Sequence, residues 1–348
     1  MIRKYRCIKD FPNTTIKAGD IIEIEKLDTP KGSTEYIIDG VIGTTGEIVY
    51  EYFEKVRLPG FKYSPYSHSK METWVSCPKK FEFNYIIKPD IPKPPSPILE
   101  KGTLFHAILE HDMKNELENL EVEDEFKALK KDDMVEIVDQ ALNFTNSEIY
   151  QKIKKLSGIR IAEQEMFLGA ALEPVKTLEE SLIRGFIDLL IVDEENKICY
   201  IYDWKTGGKS KEQLKKWPKP NDQLQLYSIW AMQMFDIEKV KTGFVYVEHN
   251  HIAEYNFSIK DLEPLKKKFK EKINNIENDT KFKMNNSILC AWCDFREECL
   301  GLPLDKNPRE ITKEDIFMAA KLKLNANKPK REKKSNPLND RLLKKVKN

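Results

Sequence analysis

Glycine and proline are sparse here, 14 and 18 in 348 residues, too few for a collagen-like repeat or a low-complexity coil. No apolar run approaches the roughly 18 residues that a membrane-spanning helix needs. The opening residues, Met1-Ile-Arg-Lys-Tyr-Arg6, lack the apolar stretch of a secretory leader. Both absences lead us to expect a cytoplasmic protein with no membrane segment. An excess of one charge is missing too: 58 Lys and Arg against 57 Asp and Glu leave a formal +1, so total charge names no partner. What the chain does have is 40% hydrophobic and 33% charged residues, the balance of a globular protein long enough for one large domain or two modest ones. Its six cysteines, in a chain expected to be cytosolic, point to metal or redox chemistry before disulfides.

Charge is unevenly placed. From Lys321 to Asn348 eleven Lys/Arg face only Glu332 and Asp340, a net +9, so the remainder carries about −8. Residues 1–60 read as short strands: Ile22 and Ile24 alternate with Glu23 and Glu25, and Tyr36-Ile-Ile38 and Ile48-Val-Tyr50 follow. Four or five such strands predict a small SH3-like β-barrel. From Ser67 the pattern turns helical, with Ser67 or Ser69 as cap and Trp74, Cys77, Phe81 and Tyr85 recurring every three or four residues. A proline-rich stretch, 88–97, ends it. Residues 102 to about 161 read as charged helix, then 165–168, 183–192 and 198–204 as strands. A helix over 222–235, a strand over 243–248 and an amphipathic helix carrying Leu262, Leu265, Phe269, Ile273 and Ile276 complete an α/β order. Beyond about Lys323 we expect a basic, disordered tail after a short helix.

The most informative stretch runs from Arg184 to Gly207. Two apolar strands flank the polar turn Asp193–Asn196, a hairpin signal. A turn centred near Glu195 and Asn196 sets opposite one another residues whose numbers sum to 391, so Asp188 faces Asp203. Directly opposed Cβ atoms lie about 4.5–5.5 Å apart. Lys205 shares the face of Asp203, because strand side chains repeat every second residue. Two carboxylates so close repel unless a cation lies between them, and a hard divalent ion such as Mg²⁺ or Mn²⁺ prefers oxygen ligands. A lysine beside it can hold attacking water or offset charge at a pentavalent phosphorus.

Here the sequence resembles the PD-(D/E)XK nuclease superfamily, in particular its RecB-like branch. Gly185-Phe-Ile-Asp188 and Asp203-Trp-Lys205-Thr-Gly207 look like that branch's Gly-x-x-Asp and Asp-x-Lys-Thr-Gly motifs. Gly102-Thr-Leu-Phe-His106 is similar to its upstream Gly-x-x-x-His, and Gln223-Leu-Gln-Leu-Tyr227 to its Gln-x-x-x-Tyr helix. The resemblance implies a restriction-endonuclease-like core, a mixed central sheet flanked by helices, over residues 61–302. By the same resemblance Asp188, Asp203, His106 and the Trp204 carbonyl would bind the metal, and Lys205 would serve the water. Gln223 and Tyr227 would orient the strand. Glu165 occupies the place of an auxiliary acid, with Glu163 nearby.

Cys290-Ala-Trp-Cys293-Asp-Phe-Arg-Glu-Glu-Cys299 sets three thiols in ten residues, able to converge on one metal or cluster. Cys77, 213 residues before Cys290, is the candidate fourth. The layout of one cysteine before the nuclease motifs and three after resembles AddB-type recombination and CRISPR-adaptation nucleases. That likeness implies a [4Fe–4S] cluster, with zinc as the alternative the spacing leaves open. Cys7 and Cys199 fall in strands and read as buried hydrophobes.

Lys209 and Lys211, like Lys79, Lys80, Lys215 and Lys216, flank these motifs, with Trp217 nearby. They read either as phosphate contacts, with a stacking aromatic, or as solvated loop lysines. The expectation is a DNA exonuclease acting on single strands or duplex ends in replication, recombination or repair. A structure-specific endonuclease and a noncatalytic DNA-binding scaffold are the rivals. No Gly-x4-Gly-Lys-Ser/Thr is present, so a helicase motor, or another replication or recombination protein, would come as a partner chain.

Overall fold

The computed structural model describes residues 2–7, 11–12, 14, 16, 21–28, 34–38, 41–44, 49, 53–55, 58–89, 91, 97–117, 120, 126, 129–207 and 221–326. The chain forms two compact units, Met1–Val75 with Pro92–Lys281 and Ser76–Ile91 with Phe282–Asn348. The strands are β1 (Ile2–Cys7), β2 (Ile21–Asp28), β3 (Thr34–Ile38), β4 (Val41–Thr44), β5 (Phe53–Lys55), β6 (Ile159–Leu168), β7 (Ile183–Asp193), β8 (Ile198–Lys205), β9 (Lys239–Tyr246) and β10 (His251–Ser258). The helices are α1 (His68–Ser76), α2 (Pro78–Glu82), α3 (Pro97–Lys114), α4 (Lys131–Thr145), α5 (Glu148–Lys154), α6 (Asp222–Met234), α7 (Leu262–Asn278), α8 (Arg296–Leu300) and α9 (Lys313–Ala326).

In the first unit, β1–β5 make a small antiparallel sheet in the order β4-β3-β2-β1-β5. The alternation read from sequence is realised: Ile22 and Ile24 enter a core with Tyr5, Cys7, Tyr36, Ile38 and Val49. Of the strand expected at 48–50 only Val49 lies among the described residues, and it is helical.

The central sheet is mixed, ordered β10-β9-β8-β7-β6, with β8 and β9 parallel and the other pairs antiparallel. Leu189 to Val192 are all buried, so β7 reads as an unbroken apolar run because helices cover both its faces. One face packs on α3, α4 and α5, where Leu104, Ile108, Ile137, Phe144 and Tyr150 meet Leu189, Ile191, Tyr202 and Trp204. The other carries α6, with α7 against it. This is the α/β architecture expected, a five-stranded sheet flanked by helices. Strand β10 had no sequence expectation; it is an edge strand with one buried residue, Phe257.

At the end of α7 the Glu277 carboxylate accepts hydrogen bonds from the backbone N–H of Lys62 (2.9 Å) and Tyr63 (3.1 Å) and from the Tyr66 hydroxyl (2.7 Å). This clasp fixes Tyr66, whose backbone accepts from Arg184 N–H (2.8 Å) and donates to Leu182 O (2.7 Å) at the start of β7.

In the second unit, the helix expected to run through Cys77 is broken there. Cys77 is extended, and α2 restarts at Pro78, because proline disfavours helical geometry in the residue before it. Phe81 stacks on Phe282 (6.1 Å) and Phe83 on Phe295 (5.1 Å). Arg296 is buried and donates to the carbonyls of Ala291, Pro303, Leu304 and Lys306, tying the loop after α8. Residues 327–348, which hold most of the basic tail, lie outside the described set. Among the described residues no helix is long and apolar enough to cross a membrane.

Candidate active site

The β7–β8 pairing runs from Asp193↔Ile198 to Leu189↔Tyr202, a constant sum of 391, which is the register expected. The next pair in that register is Asp188 and Asp203, and here the ladder ends. The Trp204 N–H donates instead to Asp188 Oδ2 at 2.7 Å, so the two strands fork with a carboxylate in the gap. The β6–β7 register keeps a constant sum of 351, which aligns Glu163 with Asp188. That pair too is missing from the ladder, because Glu163 has φ +51°, a conformation uncommon for residues other than glycine. Three acids from three adjacent strands thus stand in one row.

Helix α3 brings His106 to this row. Its Nε2 lies 3.1 Å from Trp204 O and its Nδ1 3.4 Å from Asp188 Oδ2. Since a carbonyl only accepts, Nε2 carries the proton in this contact. Ligand atoms of His106, Glu163 and Asp188 all lie within 4.8 Å of one another. Asp203 is 2% exposed. Its Oδ1 accepts from Gln223 Nε2 (2.7 Å), while Oδ2 has Lys205 Nζ at 2.5 Å but no aligned hydrogen bond. The ammonium also sits 4.8 Å from the Phe244 ring centroid, and Phe244 is the β9 neighbour of Asp203.

The charges here are costly without a cation. Burial, followed by the Asp203 charge, holds the Asp188 carboxyl well above the ordinary range. Burial, then Glu110 and Asp203, pushes Glu163 up to about 7. Burial lowers the His106 imidazole, with Asp203 opposing, which keeps it neutral and fit to be a ligand. Three carboxylates, a neutral imidazole, a backbone carbonyl and a buried oxygen without a hydrogen bond suit a hard divalent ion. The donor set fits.

Two expectations shift. Glu165 does not join the row; its Oε1 accepts from Arg184 Nε at 2.5 Å, and the carboxylate beside Asp188 is Glu163. The sequence pattern starts β6 at 165, whereas the strand begins at Ile159. Extending it, with the same pairing arithmetic, was the signal that finds Glu163. Tyr227 is buried at 4% exposure and accepts from Gln223 Nε2 at 2.9 Å. It therefore braces Gln223 instead of meeting a strand itself. A Cβ on Gly185 would come within 2.7 Å of the flexible Met166 Cε and 3.1 Å of Tyr227 Cε1, so glycine here leaves room for both side chains. Lys209 and Lys211, with residues 215–217, lie outside the described residues.

In the second unit Cys77 Sγ accepts from Asn285 N–H (3.5 Å), Cys290 Sγ lies 3.8 Å from Asn285 O, and Cys299 Sγ lies 3.2 Å from Met284 Sδ. Burial, then the charges of Cys77, Cys293 and Cys290, pushes the Cys299 thiol up to about 12. These thiols are neighbours, but among the described residues their sulfurs do not draw as close as the ligand atoms of the His–Glu–Asp group.

A family model for the PD-(D/E)XK nuclease superfamily matches residues 65–300. The chain belongs to the PD-(D/E)XK nuclease superfamily. This superfamily consists of divalent-metal-dependent nucleases, and the match spans His106, Glu163, both aspartates and Lys205. No curated protein matches the chain. Among solved structures, a candidate exonuclease from Eubacterium rectale is similar, with TM-score 0.43 and 12% identity, covering 72% of this chain and 91% of that one. The SSO0001 protein is similar at TM-score 0.31 and 15% identity, covering 68% and 85%. The family assignment rests on the sequence match alone.

Proposed function

We propose that this PD-(D/E)XK protein is a cytoplasmic DNA exonuclease of the RecB-like branch, cutting single strands or duplex ends in replication, recombination or repair. The observation that carries the reading is the row of opposed acids at the β7–β8 fork with Lys205 against Asp203. Asp188, Asp203, Glu163, His106 and the Trp204 carbonyl would hold Mg²⁺ or Mn²⁺. When bound, the ion supplies Lewis acidity at the phosphoryl oxygens and lowers the pKa of coordinated water. Lys205 offsets charge developing at phosphorus and orients the water. Gln223, braced by Tyr227, holds Asp203 Oδ1 and leaves Oδ2, beside Lys205, for the ion. We read residues 1–60 as an SH3-like module, 61–302 as the nuclease domain and 303–348 as helix and basic tail. A helicase or another replication or recombination protein would be a partner.

End-labelled linear and covalently closed circular DNA, with and without Mg²⁺ or Mn²⁺, separate the alternatives. We expect metal-dependent loss of label from linear DNA and survival of the circle. Cleavage of the circle would point to an endonuclease, and no cleavage of either to a noncatalytic scaffold.

We further propose a [4Fe–4S] cluster on Cys77, Cys290, Cys293 and Cys299, where Asn285 N–H would donate to a cysteine sulfur. Its role would be structural, since hydrolysis needs no electron transfer. Protein purified without oxygen should contain about four iron and four sulfide per chain. Stoichiometric zinc without sulfide would replace the cluster with a zinc site.

A further inference from the structure

We infer that Arg184 and Phe186 form a nucleotide-binding platform beside the acid row, the ring stacking on a base and the guanidinium holding a backbone phosphate. The inference rests on the nuclease reading and adds to it a subsite for the strand. Phe186 is 46% exposed, although its strand neighbours Ile183 and Ile187 are fully buried. Among the described Phe, Tyr and Trp residues of the first unit it is the one in the exposed class. The Arg184 guanidinium carbon lies 4.8 Å from the Phe186 ring centroid.

The pair is built, not merely adjacent. Glu165, the cross-strand partner of Phe186, takes Arg184 Nε, and the Arg184 backbone N–H is held by Tyr66 O. The arginine is thereby anchored at both ends. Among the described residues nothing takes its two terminal amino groups, the ones that suit a phosphate. A surface ion pair contributes only about 0–1 kcal/mol by itself and does not call for an exposed ring beneath it.

Placement supplies the rest. Gly185 turns toward Tyr227 and Met166, so alternation sends Arg184 and Phe186 to the side away from α6. Asp188, two residues beyond Phe186, follows on the same face by the same alternation. Phe186 precedes Asp188 by two residues, about 7 Å along the strand, so a base on the ring belongs to a nucleotide close to the phosphate at the fork. Bases offer flat apolar faces and the backbone offers negative charge. An exposed ring with a guanidinium over it matches both, independent of sequence.

The test measures binding by the full chain carrying Lys205→Ala, so that DNA is not consumed, with a fluorescent thymidine oligomer of about ten nucleotides and its abasic counterpart. We expect Phe186→Ala to raise Kd about tenfold on the thymidine strand and less than about twofold on the abasic one, with Phe186→Tyr restoring binding. Arg184→Ala should reduce the slope of log affinity against log salt by about 0.7. Unchanged melting temperatures will show that the variants fold. Equal losses on both strands, or no loss, overturn the platform while leaving a parent that cleaves DNA as a nuclease. A parent that neither binds nor cleaves DNA overturns both readings.

Discussion

Replacing Lys205 with alanine should slow Mg²⁺- or Mn²⁺-dependent DNA hydrolysis by about 100- to 1,000-fold, the usual cost of removing one group that stabilises transition-state charge. Its ammonium lies 2.5 Å from Asp203 Oδ2 and is held over Phe244, so it is aimed before substrate arrives. Lys205→Arg should not rescue the rate, because a planar guanidinium cannot take the place of a compact ammonium in that gap. Without lysine, Asp203 keeps Gln223 as its hydrogen-bond donor. The metal-free variant should melt lower than its parent, by the equivalent of about 1 kcal/mol once partial exposure of the lysine is allowed for. Divalent metal should then stabilise the variant more than the parent, since it replaces the missing positive charge. Single-turnover cleavage of end-labelled DNA and melting curves in chelator or Mn²⁺ measure both effects. A variant as fast as the parent would remove Lys205 from the mechanism.

Metal affinity should rise steeply with pH. Glu163, lifted to about 7, and Asp188, raised by burial and by Asp203, hold protons in the folded metal-free protein that the unfolded chain has already lost. The folded state therefore binds more protons, and stability falls as pH climbs from the ordinary carboxylate range, about 4, through about 7. Metal needs the ionised forms, so it competes with those protons. Between pH 6 and pH 8 the Glu163 proton alone is worth about tenfold in affinity, and Asp188 adds to it. Calorimetric Mn²⁺ titrations in buffers of differing ionisation enthalpy will count the protons released. Glu163→Gln should reduce that count by about one. Affinity that stays level across this pH range, with no proton release, would mean that these carboxyls do not meet the ion.

Much of this site is legible in the sequence. A polar turn at 193–196 between apolar runs set the register, and the arithmetic of pairing carried Asp188 to Asp203. Extended strands at fixed separation leave no freedom in that step. The choice of Glu165 over its neighbour Glu163 follows from starting β6 at 165, six residues late, and a single left-handed residue at Glu163 interrupts the ladder there. Tyr227 is legible as the helical neighbour of Gln223, but its burial close to Gly185 is a tertiary contact that helical spacing does not reveal. The break at Cys77 was signalled by Pro78, yet helical spacing on either side masked it. Arg184 and Phe186 lay inside a recognised motif and passed as ordinary strand residues, since only tertiary structure reveals which apolar side chain stays wet.

The second unit draws its halves from opposite sides of about 190 intervening residues. Joining ends so far apart costs about 4–5 kcal/mol in chain entropy. During synthesis, the rings of Phe81 and Phe83 leave the ribosome long before Phe282 and Phe295 exist to cover them. A chain cut short of Phe282 would lack the two rings that pack on Phe81 and Phe83. Synthesis through Phe295 is thus needed before both ring pairs can form.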